Sequence, residues 1–429
     1  MKLSTKICIA ALATGVAMPA AAQETDAGLS PIERSKESQQ QDEEGDKRTT
    51  ATTSSGQKIV VSRGAEKHVM ALQNAVNAND VATIPAKLAA AQAAARTPGD
   101  KFLVGAMQTS AGLKANDLAG IRGGIEAMDA SGLADSADLV TRYTDLGRRY
   151  RDAKRPDDAV AVLNKAMALN PNNVSTLINL ASVRDAQGQK AEAVALMQKS
   201  FAASKASGVK IEEGNYKFAA GLALAQRLPA TNEIARQWVA AYPSTVSWRD
   251  TLRVYREISK PAGSQLVDIL RLGRATNSLG GEGDYFALAN GLLNAGRLTE
   301  AKAVMAEAKT APGVDLTKRP FVELNARLAA APTRAAIDAS AKAALAGADG
   351  KAMIDAGDAL YGVGAYAEAI PLYRAAASKG GDAGLANLHL GMALARSGDK
   401  AGATAALQAV TGANAEVAQY WLLWLATSA

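Results

Sequence analysis

Acid–base or metal chemistry needs titratable side chains close together, and this 429-residue chain offers few. It holds two histidines, His68 and His389, near opposite ends of the sequence, and one cysteine, Cys8. No Gly-x-Ser-x-Gly elbow presents a nucleophilic serine, and no His-Glu-x-x-His pair offers zinc ligands. Gly280-Gly281-Glu282-Gly283 is glycine-rich, but no strand precedes it, so it reads as a helix junction and not a phosphate loop. Carboxylates are plentiful, so a carboxylate-pair hydrolase remains open to a direct test: a hydrolytic rate that vanishes on changing one carboxylate. The expectation is a protein that is not an enzyme and carries no metal or cofactor. What remains is recognition. Arg249, Arg253 and Arg256 at i, i+4 and i+7 share one helix face, a cationic stripe suited to carboxylates. The alternative is a solvated face with ordinary ion pairs.

The elements that would position such residues show best from Val140 to Lys205. Read in rows of 34, the first row has Tyr143, Leu146, Gly147, Tyr150, Ala159, Leu163, Ala166 and Pro171. The second has Leu177, Leu180, Ala181, Gly188, Ala193, Met197 and Ser200 at matching offsets. Apolar residues three and four apart are helical spacing. Lys154-Arg155-Pro156-Asp157 and Gln187-Gly188-Gln189 break the rows in two. Each row is therefore a helix hairpin whose apolar face needs a neighbouring hairpin. Rows starting at Glu282, Leu316, Gly350 and Gly384 keep the same 34-residue spacing, the Leu316 row being the weakest. Lys67, Lys101, Glu212 and Thr245 start looser rows, and Asp135 to Leu139 reads as a short insertion.

These offsets resemble the tetratricopeptide repeat. Its pattern wants a bulky residue at position 4, Leu-Gly at 7 and 8, Tyr at 11, Ala at 20, an aromatic or Leu at 24, Ala at 27 and Pro at 32. Tyr143 through Pro171 match throughout, and the resemblance covers roughly Lys67 to Ala415. It implies an all-α fold: a right-handed α-solenoid of about nine or ten hairpins with a C-terminal capping helix. It also implies a groove lined by each first helix, through positions 2, 5, 9 and 12, that binds peptides or protein surfaces. Those positions include Thr141, Thr144, Arg148 and Arg151 in one row and Val246, Arg249, Arg253 and Arg256 in another. Farther on they are Phe286, Asn290 and Leu293, then Ile354, Asp358 and Tyr361, then Leu388 and Met392, which serve equally as core contacts. Against the family's clamp for a terminal carboxylate, Asn179 fits and Lys217 can substitute for an Arg, while Thr144, Arg148 and Glu213 depart. The binding candidates are thus Arg148, Arg151, Asn179, Lys217, Arg249, Arg253 and Arg256.

The ends carry separate signals. Lys2 and Lys6, an apolar run from Ile7 to Ala17, and Ala20-Ala21-Ala22 have the layout of a secretory signal peptide, residues 1–22. Its removal takes Cys8 and lowers the formal charge from +6 to +4. The apolar run is far shorter than the roughly 20 residues that span a bilayer. Residues 23–62 are polar and aperiodic and read as a disordered linker. Degenerate hairpins follow at 63–139, the clear pair at 140–206, further degenerate hairpins at 207–281, and the regular array at 282–414. Residues 415–429 form a capping helix apolar nearly all round, which implies burial on more than one side. Trp421 and Trp424 are candidates for that second contact, with a partner, a second copy or a lipid headgroup layer.

The resulting expectation is an exported scaffold in the periplasm, or outside the cell, of a bacterium. It would bind another protein or an acidic peptide segment and serve envelope assembly or secretion. Nucleic acid is not expected as a partner, membrane contact would be peripheral at most, and a homo-oligomer would form through the last helix. The competing reading is an extracytoplasmic protein whose groove holds an anionic glycan or small molecule. Changing Arg249, Arg253 and Arg256 separates them: a scaffold loses a protein partner, a glycan binder loses retention on an acidic polysaccharide.

Overall fold

The computed structural model describes residues 50–53 and 56–428. The expected leader at 1–22 and the polar segment up to residue 49 lie outside the described residues. Helices dominate, and among the described residues none is long and apolar enough to cross a membrane. The chain divides into two compact units, residues 1–210 and 211–429, each with its own apolar core.

The first unit opens with a small antiparallel ribbon, β1 (Thr50–Thr52) and β2 (Lys58–Val60), with Ala51 opposite Ile59. The expected linker is therefore folded over its last stretch. Ile59 and Val61, two apart, both point into the core. Ser62 then gives its backbone N–H and its hydroxyl to the buried Asp100 carboxylate at 2.8 and 2.7 Å. A buried carboxylate must be satisfied, so Asp100 fixes the chain entry.

Eight helices follow: α1 (Arg63–Asn77), α2 (Ile84–Ala94), α3 (Pro98–Ala115), α4 (Leu118–Ala130), α5 (Ser136–Asp152), α6 (Pro156–Leu169), α7 (Val174–Ala186) and α8 (Lys190–Ser207). Each odd helix packs against the next even one. Thr97 and Asp100 form a reciprocal capping box at α3, and the side chains of Asp117, Asp135 and Asn173 cap α4, α5 and α7. Such caps satisfy N–H groups that the helix leaves orphaned. The supposed insertion at 135–139 is the cap and first turn of α5, so it lengthens a helix instead of interrupting the array.

Close approach inside the pairs rests on small residues. A Cβ on Gly147 would fall 2.5 Å from Leu163 Cγ, and one on Gly105 would fall 2.7 Å from the Gly124 carbonyl oxygen. The facing Ala159 is fully buried. Tyr143 and Tyr150 of α5 reach back to α4, donating to Asp129 Oδ2 at 2.8 Å and the Leu118 carbonyl at 3.2 Å. The repeat offsets are thus packing positions within and between hairpins.

The second unit holds α9 (Glu213–Ala225), α10 (Thr231–Ala241), α11 (Thr245–Ser259), α12 (Ser264–Ala275), α13 (Glu282–Asn294), α14 (Leu298–Ala308), α15 (Arg319–Arg327), α16 (Arg334–Ala346), α17 (Gly350–Gly362), α18 (Tyr366–Ser378), α19 (Ala383–Ser397), α20 (Lys400–Gln408) and α21 (Ala415–Thr427). The 280–283 glycine run is the junction into α13, with Gly281 at φ +74°. The Leu316 row does not close as a hairpin. Helix α15 packs on α13 and α16 on α17 and α18, while α17 docks directly on α14. A Cβ on Gly362 would fall 2.8 Å from Glu300 Cβ, which explains how α14 and α17 come so near. The last helix, α21, packs on α19 and α20 and also on α10 and α12. It thereby joins the two ends of its own unit.

Candidate partner-binding faces and a buried ionic core

The cationic candidates fall into two groups by unit. In the first, α5 and α7 lie side by side, tied by a buried Thr144–Thr176 hydroxyl pair at 2.6 Å. Above that tie Arg151 Nη1 donates to Asn179 Oδ1 at 3.1 Å, and Asn179 Nδ2 donates to the Ser175 carbonyl. Arg148 sits one turn earlier, 49% exposed, with Asp145 at 2.5 Å and Asp152 at 4.0 Å. Three candidates named from sequence thus form one polar face. Its ion pairs are solvent-exposed, a class worth about 0–1 kcal/mol each, so an incoming carboxylate can displace them.

The second group is less free than its spacing implies. Arg256 is spent on Asp284 at 2.6 Å, and Arg253 is flanked by Asp250 and Glu257 at 3.7 and 3.9 Å. Arg249 is exposed, its side chain beside Gly280. The stripe exists geometrically, but acids from α11 and α13 largely balance it. Lys217 pairs with Glu213 at 3.0 Å and lies 5.5 Å from the centre of the Trp238 ring. Glu213 also accepts from Trp238 Nε1, and Thr144 is held by Thr176, so these residues are committed to local structure.

Of the later groove positions, Phe286 and Asn290 are half-buried and Leu293 is buried. Ile354, Asp358, Tyr361, Leu388 and Met392 are all buried in the second unit and present no open groove there. Trp421 is fully buried as well, and its Nε1 donates to the Asp268 carbonyl at 3.3 Å. Its second contact is therefore α12 of its own chain, which corrects the expectation of an external one. Trp424 is half-buried and meets Trp421 edge-on with ring centres 5.4 Å apart.

The unit encloses a charge network that sequence reasoning missed. Arg271 holds Glu300 at 2.5 Å and Asp268 at 2.9 Å, with all three side chains almost inaccessible. His389 Nε2 lies 3.1 Å from Asp268 Oδ2, and its Nδ1 lies 2.7 Å from Asp358 Oδ1. The latter contact is out of line for a good hydrogen bond, so its attraction is chiefly between charges. Asp358 is further held by Arg297 at 2.8 Å and by the Tyr373 hydroxyl at 2.7 Å. Burial alone would lower the His389 pKa, but Asp358 and Asp268 outweigh it and hold it at about 9. Burial pushes Asp358 up, yet His389, Arg271 and Arg297 bring it well below the usual carboxylate range. Tyr373 is driven the other way by burial and by Asp358, and keeps its proton. With His389 protonated, three cations meet three carboxylates.

The network is inaccessible to substrate, and no cluster of metal-ligating side chains occurs among the described residues. Its local signal was the pair Asp268 and Arg271 inside the apolar run Val267 to Leu272. His68 lies in the first unit and His389 in the second.

Repeated helix pairs meeting through small residues define an all-α helical-repeat protein. Residues 150–204 match the tetratricopeptide repeat family model, whose fold serves as a scaffold for protein–protein contacts and is generally not catalytic. No curated protein matches the chain. Among solved structures, the TPR2AB-domain–pHSP90 complex of yeast Sti1 is 13% identical, covering 68% of this chain and 100% of its own, with a TM-score of 0.25. A tetratricopeptide repeat protein from Parabacteroides merdae is 13% identical, covering 76% and 99%, with a TM-score of 0.25. Pseudomonas aeruginosa pilF is 14% identical, covering 64% and 90%, with a TM-score of 0.20. No ligand or partner is carried over from them.

Proposed function

We propose that the protein is an exported scaffold of the bacterial cell envelope that binds an acidic segment of another protein on the α5–α7 face. The observation that carries this reading is the Arg151–Asn179 link, which places a guanidinium and an amide on neighbouring first helices beside the exposed Arg148. A peptide chain laid across them would find donors for a carboxylate and both a donor and an acceptor for its backbone. The leader-like residues 1–22 support export, and with it a role in envelope assembly or secretion. The α11 stripe is a weaker site for any anion, glycan or peptide, because the Arg256–Asp284 pair is less exposed, and so harder to displace, than the Arg151–Asp152 pair of the α5–α7 face.

A photo-crosslinking residue at position 148, in intact cells, tests this. The expected result is a discrete envelope protein captured there, lost when Arg151 and Asn179 are both changed to Ala. Capture only of cytoplasmic proteins, or capture indifferent to those changes, would overturn the reading.

A further inference from the structure

The α5–α7 face is the cationic end of a cationic unit. From Arg148 to Arg155 the chain carries Arg148, Arg149, Arg151, Lys154 and Arg155 against the single carboxylate of Asp152. Lys154, at φ +58°, is exposed and has no ion pair among the described residues. Residues 50–210 hold twenty cations and fourteen carboxylates. Residues 23–49, which precede the first strand, have the opposite balance, eight carboxylates and four cations. Four of those carboxylates stand within the five residues Asp42-Glu43-Glu44-Gly45-Asp46.

The fold sets this run within reach of the face. Thr50 pairs with Val60, whose carbonyl lies against Gly99 in the first turn of α3. Gly105 and Gly112 of α3 face Met128 and Ile121 of α4, and Tyr143 and Tyr150 of α5 reach Asp129 and Leu118 of α4. Helices α3 and α5 therefore run the same way, and the chain entry is level with the first turns of α5. Arg148 is about 15 Å farther along that helix. One or two helix spacings of about 8–10 Å separate α3 from α5. The entry is thus roughly 18–25 Å from Arg148. The four residues from Thr50 to Asp46 span at most about 14 Å, and the eight to Asp42 about 28 Å. The distance to the face falls between the two.

We propose that the run Asp42–Asp46 is an in-chain ligand of the α5–α7 face, an autoinhibitory contact that a partner's acidic segment must outcompete. The inference rests on the reading of that face as a carboxylate site and adds its regulation. Arg148 and Lys154 take the carboxylates, because the pairs that Arg148 makes with Asp145 and Asp152 are exposed and readily exchanged. A short tether gives an effective concentration of about a millimolar. Even a dissociation constant on the order of 0.1 mM then leaves the face occupied about nine-tenths of the time. The contact joins exposed charges, so salt weakens it.

The test uses the purified full chain with a photo-crosslinking residue at position 148. Irradiated alone at low salt, the monomer should carry a crosslink to residues 42–46, mapped by mass spectrometry. The crosslink should fade in about 0.5 M salt. It should vanish when Asp42 and Asp46 are changed to Asn and Glu43 and Glu44 to Gln, residues that precede the first strand and lie outside both cores. A fluorescent peptide of residues 40–48 should bind this neutralised chain, with Arg148 in place, about tenfold more tightly than the unaltered one. That gain should be lost when Arg148 and Arg151 are also changed to Ala. No crosslink to 42–46, one that survives neutralisation, or one found only between two copies overturns the inference. Equal peptide binding by both chains overturns it while leaving the face a carboxylate site. Binding by neither overturns it too, and capture in cells from position 148 then tests the partner reading separately.

Discussion

At the scale of single residues, glycine at the eighth repeat offset is a requirement of space. Gly147 faces Leu163, Gly391 faces Leu407 and Gly357 faces Tyr373, each with room for a hydrogen and none for a methyl group. Gly147→Ala should therefore destabilise the first unit by about 1–3 kcal/mol, the usual cost of overpacking, measured by denaturant unfolding. Gly214 has open space around its missing Cβ, so Gly214→Ala is the matched control and should cost nothing of that kind. His389 tests the opposite principle, charge in place of volume. Removing it by His389→Ala leaves Asp268 and Asp358 short of a cation in a buried site. Breaking a buried pair from one side costs about 3–5 kcal/mol, so the second unit should show a large fall in unfolding midpoint. Gln at that position keeps hydrogen bonding without the charge and should recover only part of the loss.

At the scale of elements, pairing strength varies along the array, and so should local opening. Helices α15 and α16 do not pack as a pair, and α16 buries only Ile337 fully, whereas α17 to α19 form continuous contacts around Tyr373 and His389. Amides in α15 and α16 should exchange well before those of α17 and α19, since few buried contacts hold them. Uniform protection across 319–397 would contradict that reading. The same contrast explains what could be read from sequence. Spacings local to one row were legible: the turns at Lys154–Asp157 and Gln187–Gln189, the start of α11 at Thr245 and the bounds of α21. Arg151 and Asn179 were each legible as groove-side candidates, but their meeting was not, because position 12 of one row and position 6 of the next are not equivalent offsets. What escaped were contacts between remote rows. His389 meets Asp268 across 121 positions and Glu416 meets Asn232 across 184, and no periodic pattern encodes such distances. The folded end of the supposed linker escaped for another reason: two inward residues, Ile59 and Val61, are too short a signal to outweigh a polar surrounding.

At the scale of the whole molecule, two units with separate cores need not respond alike to conditions, and pH should distinguish them. His389 has its folded pKa raised to about 9 from an ordinary value of 6.5. A raised pKa means that the folded state binds the proton more tightly, so the stabilisation is complete below about pH 6.5 and fades as pH climbs through 9. The shift corresponds to something on the order of 3 kcal/mol. The groups facing His389 do not offset it in that window. Asp268, Asp358 and Glu300 are carboxylates with Arg271 and Arg297 beside them, Arg271 is held protonated far above its ordinary value, and Tyr373 keeps its proton. Asp358, shifted down, contributes at neutral pH and loses its contribution only in acid. Raising pH from 7 to 9.5 should therefore speed exchange and proteolysis in α12, α17 and α19, while α3 to α7, which contain no histidine, stay unchanged. In the His389→Gln protein the alkaline loss should disappear from a lower starting stability. An alkaline transition of equal size in both units, or one that survives His389→Gln, would show that the buried imidazole is not the group responsible.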